Sequence, residues 1–140
     1  MLRKNTMEKK HVIVAYLKHK NKFLLLKRSA FVESFKNQWS TITGKIEPHD
    51  KDPLQSAVRE IQEEAGFMPM QVTLVRRGEP FEARMKDKVR IIYPFLFEAQ
   101  HDQVQLNWEN SEYAWVHAGQ INDFETVEGV GSTLRKLINE

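Results

Sequence analysis

The segment from Asp52 to Gly66 constrains the fold most, because it carries signals for both ends of one short helix. The Asp52 carboxylate is suited to cap the free N–H groups of a first turn, and proline is tolerated at the first helical position. Gly66 ends a helix without the clash that a Cβ would cause. Between these ends the apolar residues recur at helical spacing and share one face, which comprises Leu54, Ala57, Val58, Ile61 and Ala65. The pattern predicts a helix over residues 53–65 that packs by this face against a core.

An apolar hairpin is predicted before this helix. Its strands are the β-branched and apolar runs at residues 12–17 and 23–26, and a polar stretch at 19–22 forms the turn. Mixed residues at 29–43 predict a loop that contains a short strand at 41–43.

The second half of the chain alternates strand-like stretches with one more helical stretch. Four strands are predicted, at residues 71–77, 82–85, 90–99 and 113–116. A last helix follows at 129–139. Strands around two helical segments indicate one α/β (α+β) domain over residues 11–140, after a flexible segment at 1–10.

The composition excludes several classes of protein. The chain contains no cysteine, which rules out a disulfide scaffold and a thiolate metal site. The longest mostly apolar run, at residues 91–97, is far shorter than the ~20 residues that span a bilayer. The basic N-terminus lacks the apolar stretch of a signal peptide. We therefore expect a cytoplasmic protein that does not contact membranes.

Charged residues are distributed unevenly along the chain, although the formal net charge is only +2. Residues 1–45 carry eleven basic and two acidic side chains, whereas residues 46–140 carry ten basic and seventeen acidic ones. This division is compatible with a nucleic-acid-binding arm, with an anion site beside a cation site, or with two differently solvated surfaces. No recognised nucleic-acid motif accompanies the basic residues, so nucleic acid is not expected as a partner.

The helix predicted at 53–65 carries an acidic face opposite its apolar one. Glu60, Glu63 and Glu64 stand at i, i+3 and i+4, which places their carboxylates on one side. Their mutual repulsion opposes the helix, and Arg59 relieves only part of it by pairing with Glu63. A divalent cation would relieve more, and carboxylates are ligands that Mg²⁺ and Mn²⁺ prefer. The alternative is an acidic face that is simply solvated.

The context of these glutamates decides between the two interpretations. The segment Gly44–Phe67 reads GKIEPHDKDPLQSAVREIQEEAGF. It closely resembles the Nudix box, G-x5-E-x7-R-E-U-x-E-E-x-G-U, in which U is a bulky apolar residue. The second half matches at every fixed position, namely Arg59, Glu60, Ile61, Glu63, Glu64, Gly66 and Phe67.

The first half of the box departs from the pattern. It holds one extra residue within positions 49–52. The first box glutamate therefore falls on Asp50 when counted from Gly44, and on Lys51 when counted back from Arg59. Two further positions lack the proline and glycine that many members have there, Ile42 and Thr43.

The resemblance implies a Nudix hydrolase (MutT-like), with an α/β/α sandwich around a mixed β-sheet. Such proteins mostly hydrolyse a nucleoside diphosphate linked to another group. By position, Glu60, Glu63, Glu64 and the carbonyl of Gly44 would hold Mg²⁺ or Mn²⁺. Arg59 would orient Glu63 or another glutamate of the cluster.

The resemblance leaves the general base open, because family members differ. Some use a box glutamate, for which Glu63 is the candidate here. Others use a glutamate from a later loop, and residues 107–112 offer Glu109 with Glu112 as the alternate.

Substrate contacts are predicted from residue type. Lys45 is the first candidate for binding phosphate because it lies inside the motif, and Arg28 and Lys27 end a predicted strand. Three aromatic side chains could either stack on a nucleobase or pack at the edge of the core, namely Trp39, Phe35 and Trp108. His49 is expected at the surface.

Among substrates, a (deoxy)nucleoside triphosphate that yields monophosphate and pyrophosphate is favoured by the small size and the Gly-Lys-Ile-Glu lead-in. ADP-ribose and dinucleoside polyphosphates are the alternatives within the enzyme class. A non-catalytic nucleotide-binding module of the same family is the alternative outside it. The predicted partner is a nucleotide-type small molecule, and the choice between monomer and homodimer is left open.

Overall fold

The computed structural model describes residues 8–85 and 88–139. In these ranges two α-helices accompany eight strands, and two short 3₁₀ turns lie at Pro69–Gln71 and Ala118–Asp123. The helices are α1 (Pro53–Ala65) and α2 (Val130–Asn139). The strands are β1 (Lys9–His19), β2 (Lys22–Arg28), β3 (Trp39–Ser40), β4 (Ile42–Lys45), β5 (Val72–Arg77), β6 (Phe81–Met85), β7 (Lys88–Ala99) and β8 (Asn110–Val116).

All eight strands belong to one mixed sheet. Its main path runs in the order β3-β2-β1-β7-β5, while β4 pairs with β1, β6 with β7 and β8 with β2. The central pair β1–β7 is parallel, from Lys9 opposite Val89 to Lys18 opposite Glu98, and the other pairings are antiparallel. The predicted mixed sheet is confirmed.

Alternate residues of β1 face opposite sides of this sheet, as the pleat of a strand requires. Ile13, Ala15 and Leu17 lie in the core that α1 covers. Val14 and Tyr16 face the second core, which α2 covers. The chain is therefore an α/β/α sandwich, as the sequence indicated.

Helix α1 begins and ends at the predicted residues. The Asp52 side chain accepts a hydrogen bond from the backbone N–H of Gln55 at 2.8 Å, and Pro53 opens the first turn. Gly66 has a φ of 82°, the left-handed conformation that glycine adopts without strain. The apolar face, with Ala57 and Ile61 fully buried, packs on β4 and β1.

The remaining elements follow the predicted order with local differences. The predicted flexible segment 1–10 lies mostly outside the described residues, but Lys9 and Lys10 already belong to β1. The two-residue strand β3, within the expected loop, is too short to show an alternating pattern. Across the described ranges, the structure contains no helix with the length and apolar character of a membrane span.

Candidate active site

Strand β4 brings the backbone of Gly44 directly against the acidic face of α1. A Cβ at this position would collide with the Glu60 carboxylate. Glycine is therefore required for the close approach of strand and helix, and the approach places the Gly44 backbone beside Glu60.

Asp50, the position that the count from Gly44 gives for the first box glutamate, lies against Arg59 and Ser56 of α1. Its carboxylate accepts hydrogen bonds from Arg59 Nη2 at 2.9 Å and Nε at 3.2 Å, from Ser56 Oγ at 2.6 Å and from the N–H of Glu47 at 2.8 Å. Only 2% of the Asp50 side chain is exposed. The Arg59 hydrogen bonds hold the pKa of Asp50 well below its usual range. The neighbouring Lys51 is exposed, so of the two counted positions only Asp50 joins the ionic network of Arg59.

Arg59 is the centre of this ionic network. Besides Asp50, its guanidinium donates to Glu60 at 3.0 Å, to Glu63 at 3.4 Å and to the carbonyl of Lys45 at 3.1 Å. The hydrogen bonds to Asp50 are the main reason that the pKa of Arg59 is raised. Arg59 thus ties the box loop, β4 and the acidic face of α1 together.

Glu60 and Glu64 are both buried on the acidic face of α1, one helical turn apart. Burial raises the pKa of both carboxyls, and the charge of Glu109 raises both further. Asn110 donates to one oxygen of Glu64 at 3.3 Å, whereas the other, Oε2, is buried without a hydrogen-bond partner in the described part of the chain. A buried carboxylate oxygen without a partner is unfavourable unless a cation neutralises it.

These residues fit a divalent cation in type, but they do not form a finished coordination sphere. In residues 8–85 and 88–139, no three acidic or histidine side chains are arranged to hold a metal ion. The Glu63 side chain is half exposed and pairs with Arg59 at 3.4 Å. The donors themselves are all oxygens, as Mg²⁺ and Mn²⁺ prefer.

A cleft of about 1070 Å³ opens beside the acidic cluster and is bounded by Glu60, Glu63 and Glu109. Its basic wall residues include Lys10, Arg28, Lys45 and Arg90, which come from the four strands β1, β2, β4 and β7. Burial lowers the pKa of Arg28, whereas the charges of Glu64 and Glu109 act in the opposite direction. The cleft therefore joins an acidic pole to a basic one.

The aromatic candidates separate clearly. Trp108 is 66% exposed and lines the cleft, as does Phe35. Trp39 packs edge-on against Phe124 with 5.1 Å between ring centroids, at the border of the second core. Trp39 therefore packs at the edge of the core, whereas Trp108 lies in the cleft.

The remaining candidates lie at the periphery. Glu112 is exposed and pairs with Lys27 at 3.5 Å, so Glu109 is the loop acid that faces the cluster. The exposed His49 ring approaches Asp50 at 3.7 Å from outside. Sequence reasoning missed Lys10, Phe31 and Arg90 as cleft residues.

A three-layer domain with an acidic helix beside a basic cleft is suited to bind a cation together with a phosphate group. The chain belongs to the Nudix family, because the family model of the NUDIX domain matches residues 7–137. It is a Nudix pyrophosphohydrolase.

Relatives and solved structures agree with this assignment. The asymmetrical bis(5'-nucleosyl)-tetraphosphatase of Sus scrofa is 33% identical over 115 residues, which cover 77% of this chain and 74% of the relative. A crystal structure of a C. elegans Ap4A hydrolase is 28% identical, with a TM-score of 0.71 and coverage of 91% and 93%. A MutT protein from Methanosarcina mazei shares the fold at 20% identity, with a TM-score of 0.75 and coverage of 96% and 98%.

Proposed function

We propose that this protein hydrolyses dinucleoside polyphosphates of the diadenosine tetraphosphate (Ap4A) class, using Mg²⁺ or Mn²⁺. The observation that carries the proposal is the size of the cleft beside the acidic helix. At about 1070 Å³ it slightly exceeds the range of roughly 300–1,000 Å³ for small-molecule sites, which favours an extended substrate. The tetraphosphatase relatives support this choice over the nucleoside triphosphate favoured by the sequence, which remains the second candidate.

The metal would be held by Glu60, Glu63, Glu64 and the carbonyl of Gly44. The partnerless Oε2 of Glu64 and the close approach of Gly44 to Glu60 support this set. When bound, such a cation neutralises phosphate oxygens and lowers the pKa of a coordinated water. Arg59 positions Glu60 and Glu63 through its hydrogen bonds to both.

Residues of the chain then bind the substrate and remove a proton from the attacking water. Glu109 and Glu63 are the two candidate bases, and both line the cleft. Lys45 and Arg28 would neutralise phosphates beside the carboxylates, and the exposed ring of Trp108 would stack on a nucleobase.

The proposed stacking of Trp108 on a nucleobase predicts that Trp108→Ala has a higher KM than the wild type. An unchanged KM would exclude this role of Trp108.

The substrate proposal predicts a distinct order of activities. With Mg²⁺, we expect the wild-type protein to hydrolyse Ap4A with a higher kcat/KM than ATP or ADP-ribose, because only Ap4A extends through the whole cleft. Product analysis by ion-exchange chromatography measures each rate. Faster turnover of ATP would make the triphosphate the substrate, and binding of Ap4A without any turnover would favour a non-catalytic module.

Glu109 is expected to act as the base rather than as a surface acid. Glu109→Gln should lower kcat for Ap4A by about 100-fold, the low end of the range for general bases, because Glu63 remains nearby. Glu112→Gln, in the adjoining strand β8, is the matched control, and we expect it to keep wild-type kcat because Glu112 pairs with Lys27 outside the cluster. Equal rates in both variants would leave Glu63 as the candidate.

A cytoplasmic location is compatible with a chain that has no cysteine. Retention of the protein on DNA at low salt, lost at high salt, would instead support a nucleic-acid partner. Analytical ultracentrifugation would distinguish a monomer from a homodimer.

A further inference from the structure

Arg90 lies in the wall of the cleft, and neither the Nudix box nor the roles assigned above use it. It belongs to β7, and it reaches the same cavity as Glu60 and Glu109. Its Nε is buried but has no hydrogen-bond acceptor in the part of the chain that the structure describes. A buried N–H without an acceptor is unfavourable, because it has lost water and gained nothing in return. The Arg90 side chain is therefore not held in the cleft wall by an acceptor for its Nε among the described residues.

A second positive charge lies beside Arg90. Strands β1 and β7 run parallel with Lys10 in register with Arg90, and both side chains line the cleft. Like charges on neighbouring strands repel each other. Within residues 8–85 and 88–139, neither side chain belongs to an ion pair. The pair therefore matches an anionic ligand rather than a carboxylate of the described chain.

Phe35 holds the guanidinium group of Arg90 in place. The Arg90 Cζ lies 5.9 Å from the centre of the Phe35 ring, a cation–π contact. Phe35 has a φ of 57°, a conformation that is disfavoured for a bulky side chain and that is found mainly where surrounding structure enforces it. Phe35 belongs to the loop that joins β2 to β3. This loop is anchored at the neighbouring residue, because Arg28 Nε donates a hydrogen bond to the carbonyl of Ser34 at 2.9 Å.

We propose that Arg90, together with Lys10, binds a phosphate of the substrate other than those next to the carboxylate cluster. The inference rests on the proposed function, because it requires a polyphosphate chain long enough to reach both poles of the cleft. A non-bridging phosphate oxygen in the cleft accepts a hydrogen bond from the Arg90 guanidinium group, and Lys10 adds the second positive charge. Arg90 thereby determines specificity for chain length.

Binding without catalysis tests this role directly. Isothermal titration calorimetry in EDTA compares inorganic tripolyphosphate with AMP for the wild type, Arg90→Gln and Arg90→Lys. We expect Arg90→Gln to bind tripolyphosphate about tenfold more weakly and AMP equally well, with Arg90→Lys between. Arg77→Gln is the matched control, because Arg77 also stacks on a phenylalanine, Phe95, but lies outside the cleft.

Steady-state kinetics distinguish a binding role from a structural one, because the loss of a merely structural residue would not raise KM while leaving kcat unchanged. For Ap4A, Arg90→Gln should raise KM about tenfold while kcat changes little, with a melting temperature like that of the wild type. Equal binding of tripolyphosphate by the wild type and Arg90→Gln would overturn the inference, as would no binding by the wild type at millimolar concentration. If tripolyphosphate binding depends on Arg90 but Ap4A is not hydrolysed, the proposed function fails and the anion site stands.

Discussion

Glu64→Gln is expected to lower kcat for Ap4A by about 1,000-fold while leaving the fold intact, since one metal ligand contributes several kcal/mol to transition-state stabilisation. Glutamine preserves the volume of this buried side chain and can keep the contact with Asn110. The substitution also removes an ionisable group from beside Glu60 and Glu109, whose charges disfavour its ionisation. The metal-free variant should therefore be at least as stable as the wild type.

Thermal unfolding in EDTA and in Mg²⁺ distinguishes the effect of Glu64→Gln on metal binding from its effect on the stability of the fold. A ligand that binds only the folded state raises the melting temperature, so the wild type should melt higher in Mg²⁺. Glu64→Gln should show a much smaller rise, whereas Glu112→Gln, at the exposed acid paired with Lys27, should behave like the wild type. Wild-type turnover together with a full Mg²⁺-dependent rise in Glu64→Gln would exclude Glu64 from the metal site.

Asp50→Asn is expected to lower the free energy of unfolding by about 3 kcal/mol at neutral pH, the low end for breaking a buried ion pair. The Asp50 carboxylate is almost completely buried and accepts hydrogen bonds from Arg59, Ser56 and Glu47. When asparagine replaces Asp50, the negative charge is lost, and Arg59 loses the carboxylate that accepts two of its hydrogen bonds. Because Arg59 also orients Glu60 and Glu63, kcat/KM should fall about tenfold.

The pH dependence of this effect has a definite sign. Hydrogen bonds from Arg59 hold the pKa of Asp50 below its unfolded value of about 3.9, so the folded state binds the proton less tightly. The stabilisation is complete well above pH 4 and is lost as the pH falls through the folded pKa. Urea unfolding at several pH values should therefore show the wild type and Asp50→Asn converging in acid. The exposed Asp123 provides a control, and an equal loss in Asp123→Asn would mean that the ion pair is not the cause.

Local signals explain what the sequence revealed about the fold. Asp52, Pro53 and Gly66 bound α1 through interactions within the helix and its caps, which do not depend on distant residues. The spacing of Glu60, Glu63 and Glu64 is equally local, and so is the position of each strand along the chain. These features could be predicted because each one depends on a few consecutive residues.

The parts of the site that were not predictable depend on distant contacts. The extra residue in the box left Asp50 and Lys51 as alternatives, and only the three-dimensional position of Arg59 and Ser56 distinguishes them. Trp39 and Trp108 look alike as isolated aromatics, but Phe124 covers the first. Arg90 joins Lys10 only through the parallel pairing of β1 with β7, about which neither segment carries a signal.

The pleat of β1 also bears on how this enzyme can be redesigned. Positions 10, 12 and 14 lie on the floor of the cleft, whereas Ile13 and Ala15 lie in the core under α1. Substitutions at the first set alter the surface that a leaving group meets, while the apolar packing beneath α1 keeps its residues. Libraries at position 10 are therefore a direct way to search for new substrate preferences, because Val12 is buried and Val14 packs against the second core.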